Sequence, residues 1–73
     1  MNEPMHELDM VALLQPLPEE QLPAGQVGTI VLEHNQGEAF EVEFPLEPHR
    51  SIVATVTREK LLKLHWPSLS KGH

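Results

Sequence analysis

Seven prolines divide this chain of 73 residues into short pieces. They stand at Pro4, Pro16, Pro18, Pro23, Pro45, Pro48 and Pro67, and the longest proline-free window runs from Ala24 to Phe44. Proline breaks helix interiors and central strands because it lacks the backbone N–H and fixes φ. The chain is therefore restricted to short elements joined by loops.

Residue patterning within those windows points to strands. Gln26 to Glu33 carries Val27, Ile30, Val31 and Leu32 with β-branched Thr29, the composition of a strand. Gly28 inside this run marks a bulge or sharp bend where a side chain does not fit. His34-Asn35-Gln36-Gly37 has turn chemistry, with Gly37 able to adopt positive φ. Glu38 to Phe44 then alternates, with Phe40, Val42 and Phe44 on one face and Ala39, Glu41 and Glu43 on the other. The two segments predict a hairpin with an acidic outer face, ended by Pro45. A second loop at Glu47-Pro48-His49 leads to another β-branched run from Ser51 to Thr57. Thr57-Arg58-Glu59-Lys60 fits one helical turn with Thr57 as N-cap, and Leu61 to Leu64 fits a last strand. A helix from Arg58 to His65 is the competing reading.

The beginning of the chain is ambiguous. Met5, Leu8 and Ala12 are spaced as on a helix face, whereas Val11 and Leu13 alternate as on a strand. Gln15 to Gly25 holds three prolines and reads as a long loop with an extended stretch and a turn. The expected organisation is a flexible N-terminus over 1–7, one domain over 8–65 and a tail over 66–73. The expected fold is all-β, a small SH3-like barrel of about five strands with one helical turn before the last.

Leu8-Asp9-Met10-Val11-Ala12-Leu13-Leu14, Leu17-Pro18-Glu19-Glu20, Ala24-Gly25-Gln26-Val27-Gly28-Thr29-Ile30-Val31 and Gly37-Glu38-Ala39-Phe40-Glu41-Val42-Glu43-Phe44 form a combined pattern. It resembles the short bacterial proteins of domain-of-unknown-function family 4926 over roughly residues 8 to 64. The resemblance implies the small barrel fold and supplies no active site. The chain departs from the family pattern in its Pro45 to His49 loop and its Trp66 to His73 tail.

Composition limits the function classes. Eleven Asp and Glu against five Lys and Arg give a formal net charge of -6. Nucleic acid and anionic membranes attract basic patches, so an acidic chain is unsuited to both. The charge favours solubility or encounter with a basic protein. There is no cysteine, which excludes disulfides and thiolate metal sites. The acidic N-terminus has no apolar run of the kind a secretory signal needs. No stretch approaches the length of a membrane span. The expected location is cytoplasmic.

Chemistry-bearing residues do not converge. His6, His34, His49, His65 and His73 show no i, i+4 pair of the metal-ligand kind. His34 and Glu43 are placed to face each other across the hairpin, but without a third ligand. No metal or cofactor is expected. Glu41 and Glu43 lie about 7 Å apart on one strand face, on a convex wet surface rather than in the cleft that catalytic carboxylates require. Ser51, Ser68 and Ser70 occupy no strand-to-helix elbow, and Gly25-x-x-Gly28 lacks the lysine of a phosphate loop.

Two interaction candidates remain. Glu33, Glu38, Glu41 and Glu43 form an acidic patch on the hairpin, read either as ordinary surface charge or as a docking face. Trp66 is read either as an interface anchor or as a cap on the open end of the barrel. The expected function is that of a small, acidic, non-enzymatic protein-binding module. A regulatory or antitoxin-like partner of a basic protein would fit, with edge strands also offering a homodimer. The alternative is a nucleic-acid-binding SH3-like barrel. A stacking platform would have only Phe40, Phe44 and Trp66 to draw on, and the two phenylalanines are needed for the core, which leaves Trp66 alone.

Overall fold

A computed structural model describes residues 4–65 of the chain. Among these residues five antiparallel strands form one sheet: β1 (Met10–Leu13), β2 (Val27–His34), β3 (Ala39–Leu46), β4 (Arg50–Thr57) and β5 (Leu61–Lys63). Their spatial order is β4-β3-β2-β1-β5. The fold is all-β, as the prolines and the alternation predict, and the order is compatible with an SH3-like topology. Among the described residues, however, the hydrogen-bonded ladder does not close into a barrel. β4 and β5 are its two edges, joined in sequence by a 3-10 turn at Arg58–Lys60. The helix reading of Arg58 to His65 is thus replaced by a turn and a strand.

One face of the sheet is apolar because the strands alternate. Val11, Leu13, Ile30, Phe40, Val42, Phe44, Ala54, Val56 and Leu61 are buried in one cluster. Val56 and Leu61 come from the two edge strands, so the sheet wraps around this core. Met5 is buried in the same cluster, and the core therefore begins ahead of residue 8. Leu8, at φ 77, turns outward and is exposed. The N-terminal ambiguity resolves as a strand because Val11 and Leu13 need the core face, while β2 and β5 bond β1 on either side.

The long loop is more structured than its prolines suggest. Leu17 and Leu22 bridge each other around a 3-10 turn at Pro18–Glu20. Both leucines are buried, which adds apolar area that a 73-residue chain has little of.

Three local expectations are corrected. Pro45 does not end β3, which continues to Leu46 with Pro45 opposite Ser51. The Arg58 N–H donates to the Glu38 carbonyl at 2.9 Å. In an antiparallel ladder bonded and non-bonded pairs alternate, so counting back along the unbroken register makes Pro45–Ser51 a non-bonded pair. Its missing N–H points toward β2, whose ladder with β3 ends at Thr29–Glu43. No hydrogen bond is lost there. Second, the bulge in β2 lies between Ile30 and Leu32, at Val31 rather than Gly28. Third, the Thr57 hydroxyl makes no bond to the turn's backbone and instead donates to Glu59 Oε2 at 2.9 Å.

Candidate functional site

The Val31 bulge decides which side chains share the outer face. Before it, Thr29 opposes Glu43 and Ile30 opposes Val42. After it, Leu32 opposes Glu41, Glu33 opposes Phe40 and His34 opposes Ala39. Directly opposed residues point to the same side of a sheet. Without the extra residue Glu33 would oppose Ala39 and stand beside Glu41. With it, Glu33 takes the phase of Phe40, while His34 and Leu32 move to the outer face.

The acidic patch is therefore divided. Glu41 and Glu43 share the outer face of β3. Glu33 takes the other phase of β2. Glu38 belongs to the hairpin turn, where Asn35, Gln36 and Gly37 all have positive φ. A shallow open depression of about 340 Å³ lies there, lined by Asn35, Glu38, Ala39, Thr57, Arg58 and Glu59. Trp66 lies outside the described residues.

Glu41 is the best-held side chain on this face. Its Oε2 accepts from Thr55 Oγ1 on β4 at 2.7 Å and from His34 Nε2 on β2 at 2.7 Å. The partner of His34 is thus Glu41, not Glu43, a consequence of the bulge. Glu43 Oε2 accepts from Ser51 Oγ at 2.8 Å. Both carboxylates are tethered through Oε2, and among the described residues neither Oε1 has a partner. Each carboxylate also has an exposed aliphatic opposite it, Leu32 for Glu41 and Val53 for Glu43.

The tethers lower the Glu41 pKa from the ordinary 4.5, the Thr55 hydroxyl first and the His34 hydrogen bond second, with partial burial opposing them. A carboxyl whose folded pKa is depressed stabilises the fold above its unfolded value. That contribution disappears as pH falls through the folded value. Glu41→Gln is accordingly expected to melt below the parent protein near neutrality. The gap should narrow as pH drops below 4.5. Thermal melts across that range check it.

Among the described residues no group of three or more His, Asp or Glu is placed to hold a metal ion. No helix there is long and apolar enough to cross a membrane. Phe40 and Phe44 are fully buried and present no ring to a nucleobase.

A family model described as a domain of unknown function, DUF4926, matches residues 7–62. The chain belongs to this family. The match spans the sheet from β1 into β5, including the segment from Pro45 to His49. No curated protein and no solved structure matches the chain.

Sequence reasoning located the Glu41/Glu43 pair, set His34 against Glu43 rather than Glu41, and missed Thr55, Ser51, Leu32 and Val53 as its neighbours. One signal was present. Ile30-Val31-Leu32 is three apolar residues in succession, which a strict two-residue alternation cannot place on one face.

Proposed function

We propose that this chain is a non-enzymatic protein-binding module whose docking face is the outer side of β2, β3 and β4, centred on Glu41 and Glu43. One observation carries the reading: two carboxylates about 7 Å apart along β3, each oriented through Oε2 with Oε1 free, and each flanked by an exposed aliphatic. Such carboxylates lose little side-chain freedom on binding, which lowers the cost of association. Their spacing matches alternate side chains of an extended basic segment, whose Lys or Arg would meet them while its stem packs on Leu32 and Val53. The net charge of -6 would hasten encounter with a basic protein. A regulatory or antitoxin-like partner role in the cytoplasm follows as the finer form of this reading.

The test is capture from the native host with the tagged chain, followed by affinity measurement on the protein retained. The Glu41→Lys/Glu43→Lys double variant is expected to weaken binding at least 100-fold, from loss of two charge pairs and gain of repulsion. A folded double variant with unchanged affinity would place the docking face elsewhere. Nucleic acid in the eluate would favour the nucleic-acid-binding alternative.

A further inference from the structure

A different feature of the sheet, its open β4 edge, carries a second inference; it shares Val53 with the docking face but uses backbone groups rather than the carboxylates. β4 is an edge strand of eight residues, Arg50–Thr57. Proteins protect such edges with charges, prolines, bulges or a covering segment. β4 has no charge or proline after Arg50, its register with β3 is unbroken, and no described strand pairs with its outer side.

The free backbone groups on this edge can be assigned. Because Arg58 N–H bonds the Glu38 carbonyl, the even-numbered residues of β4 bond β3. The N–H and C=O of Ser51, Val53 and Thr55 point away from it. None of these six groups has a backbone partner among the described residues.

We propose that β4 pairs with β4 of a second copy, antiparallel across a two-fold axis at Val53, to form one continuous ten-stranded sheet. Two constraints select this arrangement. The cores of both copies must fall on the same side of the joined sheet, so residues of like phase must oppose each other. The register must also satisfy the free groups. Centred on Val53, it sets Ser51 against the second copy's Thr55 and Val53 against the second copy's Val53. All six free groups of each copy are then used, in six hydrogen bonds. On the outer face the exposed Val53 side chain (55% accessible) gains its own counterpart, a favourable β-branched pair. On the core side the half-buried Ile52 is set against the second copy's Ala54.

Charge does not bar a second copy at this edge. Two molecules of net charge -6 repel through most of their surfaces, but the Ser51 to Thr57 edge is uncharged. In the joined sheet the two β3 strands are three strand spacings apart, about 14 Å. That exceeds the screening length of about 8 Å at physiological salt, so the Glu41 and Glu43 carboxylates of the two copies do not oppose assembly strongly.

Sedimentation equilibrium over a range of concentrations tests the proposal. The wild-type chain is expected to shift from 8.2 kDa to twice that mass. Val53→Lys places two like charges at the axis and should weaken dimerisation at least tenfold. Val53→Pro removes an outward N–H that β3 does not use, and should act likewise. Circular dichroism verifies the fold of each, and Val53→Lys suffices if the proline variant unfolds. Since the chain has no cysteine, Val53→Cys gives an independent readout. Bonded opposed positions are about 5.5 Å apart at Cα, within disulfide range, so mild oxidation should cross-link it. Leu8→Cys, exposed and distant from this edge in sequence, is the control. A monomer at every concentration, or a dimer that both a folded Val53→Lys and the Val53→Cys test leave unaffected, would overturn the proposal. So would protection of the Val53 and Thr55 amides from exchange that appears only with an added foreign protein.

Discussion

Gly28→Ala is expected to destabilise the fold by about 3 kcal/mol or more. Gly28 lies where β2 passes from β1 to β3, opposite Val11, with its missing side chain directed into the core. A Cβ there would sit 2.7 Å from the Glu43 carbonyl oxygen, 2.7 Å from Val42 Cγ1 and 2.8 Å from Phe44 Cδ1. Side chains can rotate from such contacts, but the carbonyl belongs to β3 and moves only with the strand. A domain of this length has a total stability of about 4–11 kcal/mol, so one methyl group would remove a large part of it. Urea unfolding measures the change directly. A loss below about 1 kcal/mol would mean that β2 and β3 separate easily here, against the close packing of this core.

Phe44→Ala is expected to cost about 3–5 kcal/mol. The ring is fully buried and covers Gly28, the arrangement in which an aromatic residue on one strand shields a glycine on the next. The two positions should therefore be non-additive. In Gly28→Ala/Phe44→Ala the new methyl group no longer meets the ring and partly fills the space left by it. The double variant is expected to be about 1 kcal/mol or more better than the sum of the single changes. It should not recover fully, because the contact with the Glu43 carbonyl persists. Strict additivity would show that the ring and Gly28 do not constrain each other. The cycle is measurable by the same urea unfolding, provided that each variant retains a folded baseline.

Much of the architecture was legible in the residues because alternation is a local property. Phe40, Val42 and Phe44 alternate with Ala39, Glu41 and Glu43, which is enough to place a half-buried strand and its acidic face. The prolines excluded long helices, and Gly28 signalled a place without room for a side chain. Glu41 and Glu43 could be paired on one face for the same reason, since residues two apart on a strand share a side whatever the strand is packed against.

What exceeded the sequence depended on pairing between distant segments. A single bulged residue at Val31 reverses the phase of everything after it in β2. It removed Glu33 from the acidic patch and brought His34 to Glu41, and its position is set by how β2 fits against β3. Pro45 stayed inside its strand because of which side of β3 lacked a partner, and that is a property of the sheet rather than of proline. Met5, Leu17 and Leu22 joined the core from outside the five strands, a contribution that appears only once the strands are assembled. By itself, then, the sequence determined the strand-rich class, the hairpin and the identity of its outward carboxylates, through steric rules that act within a few residues. The tertiary structure alone decided the strand order, the open edge at β4 and the tethers on Glu41 and Glu43, because each depends on contacts between segments far apart in the chain.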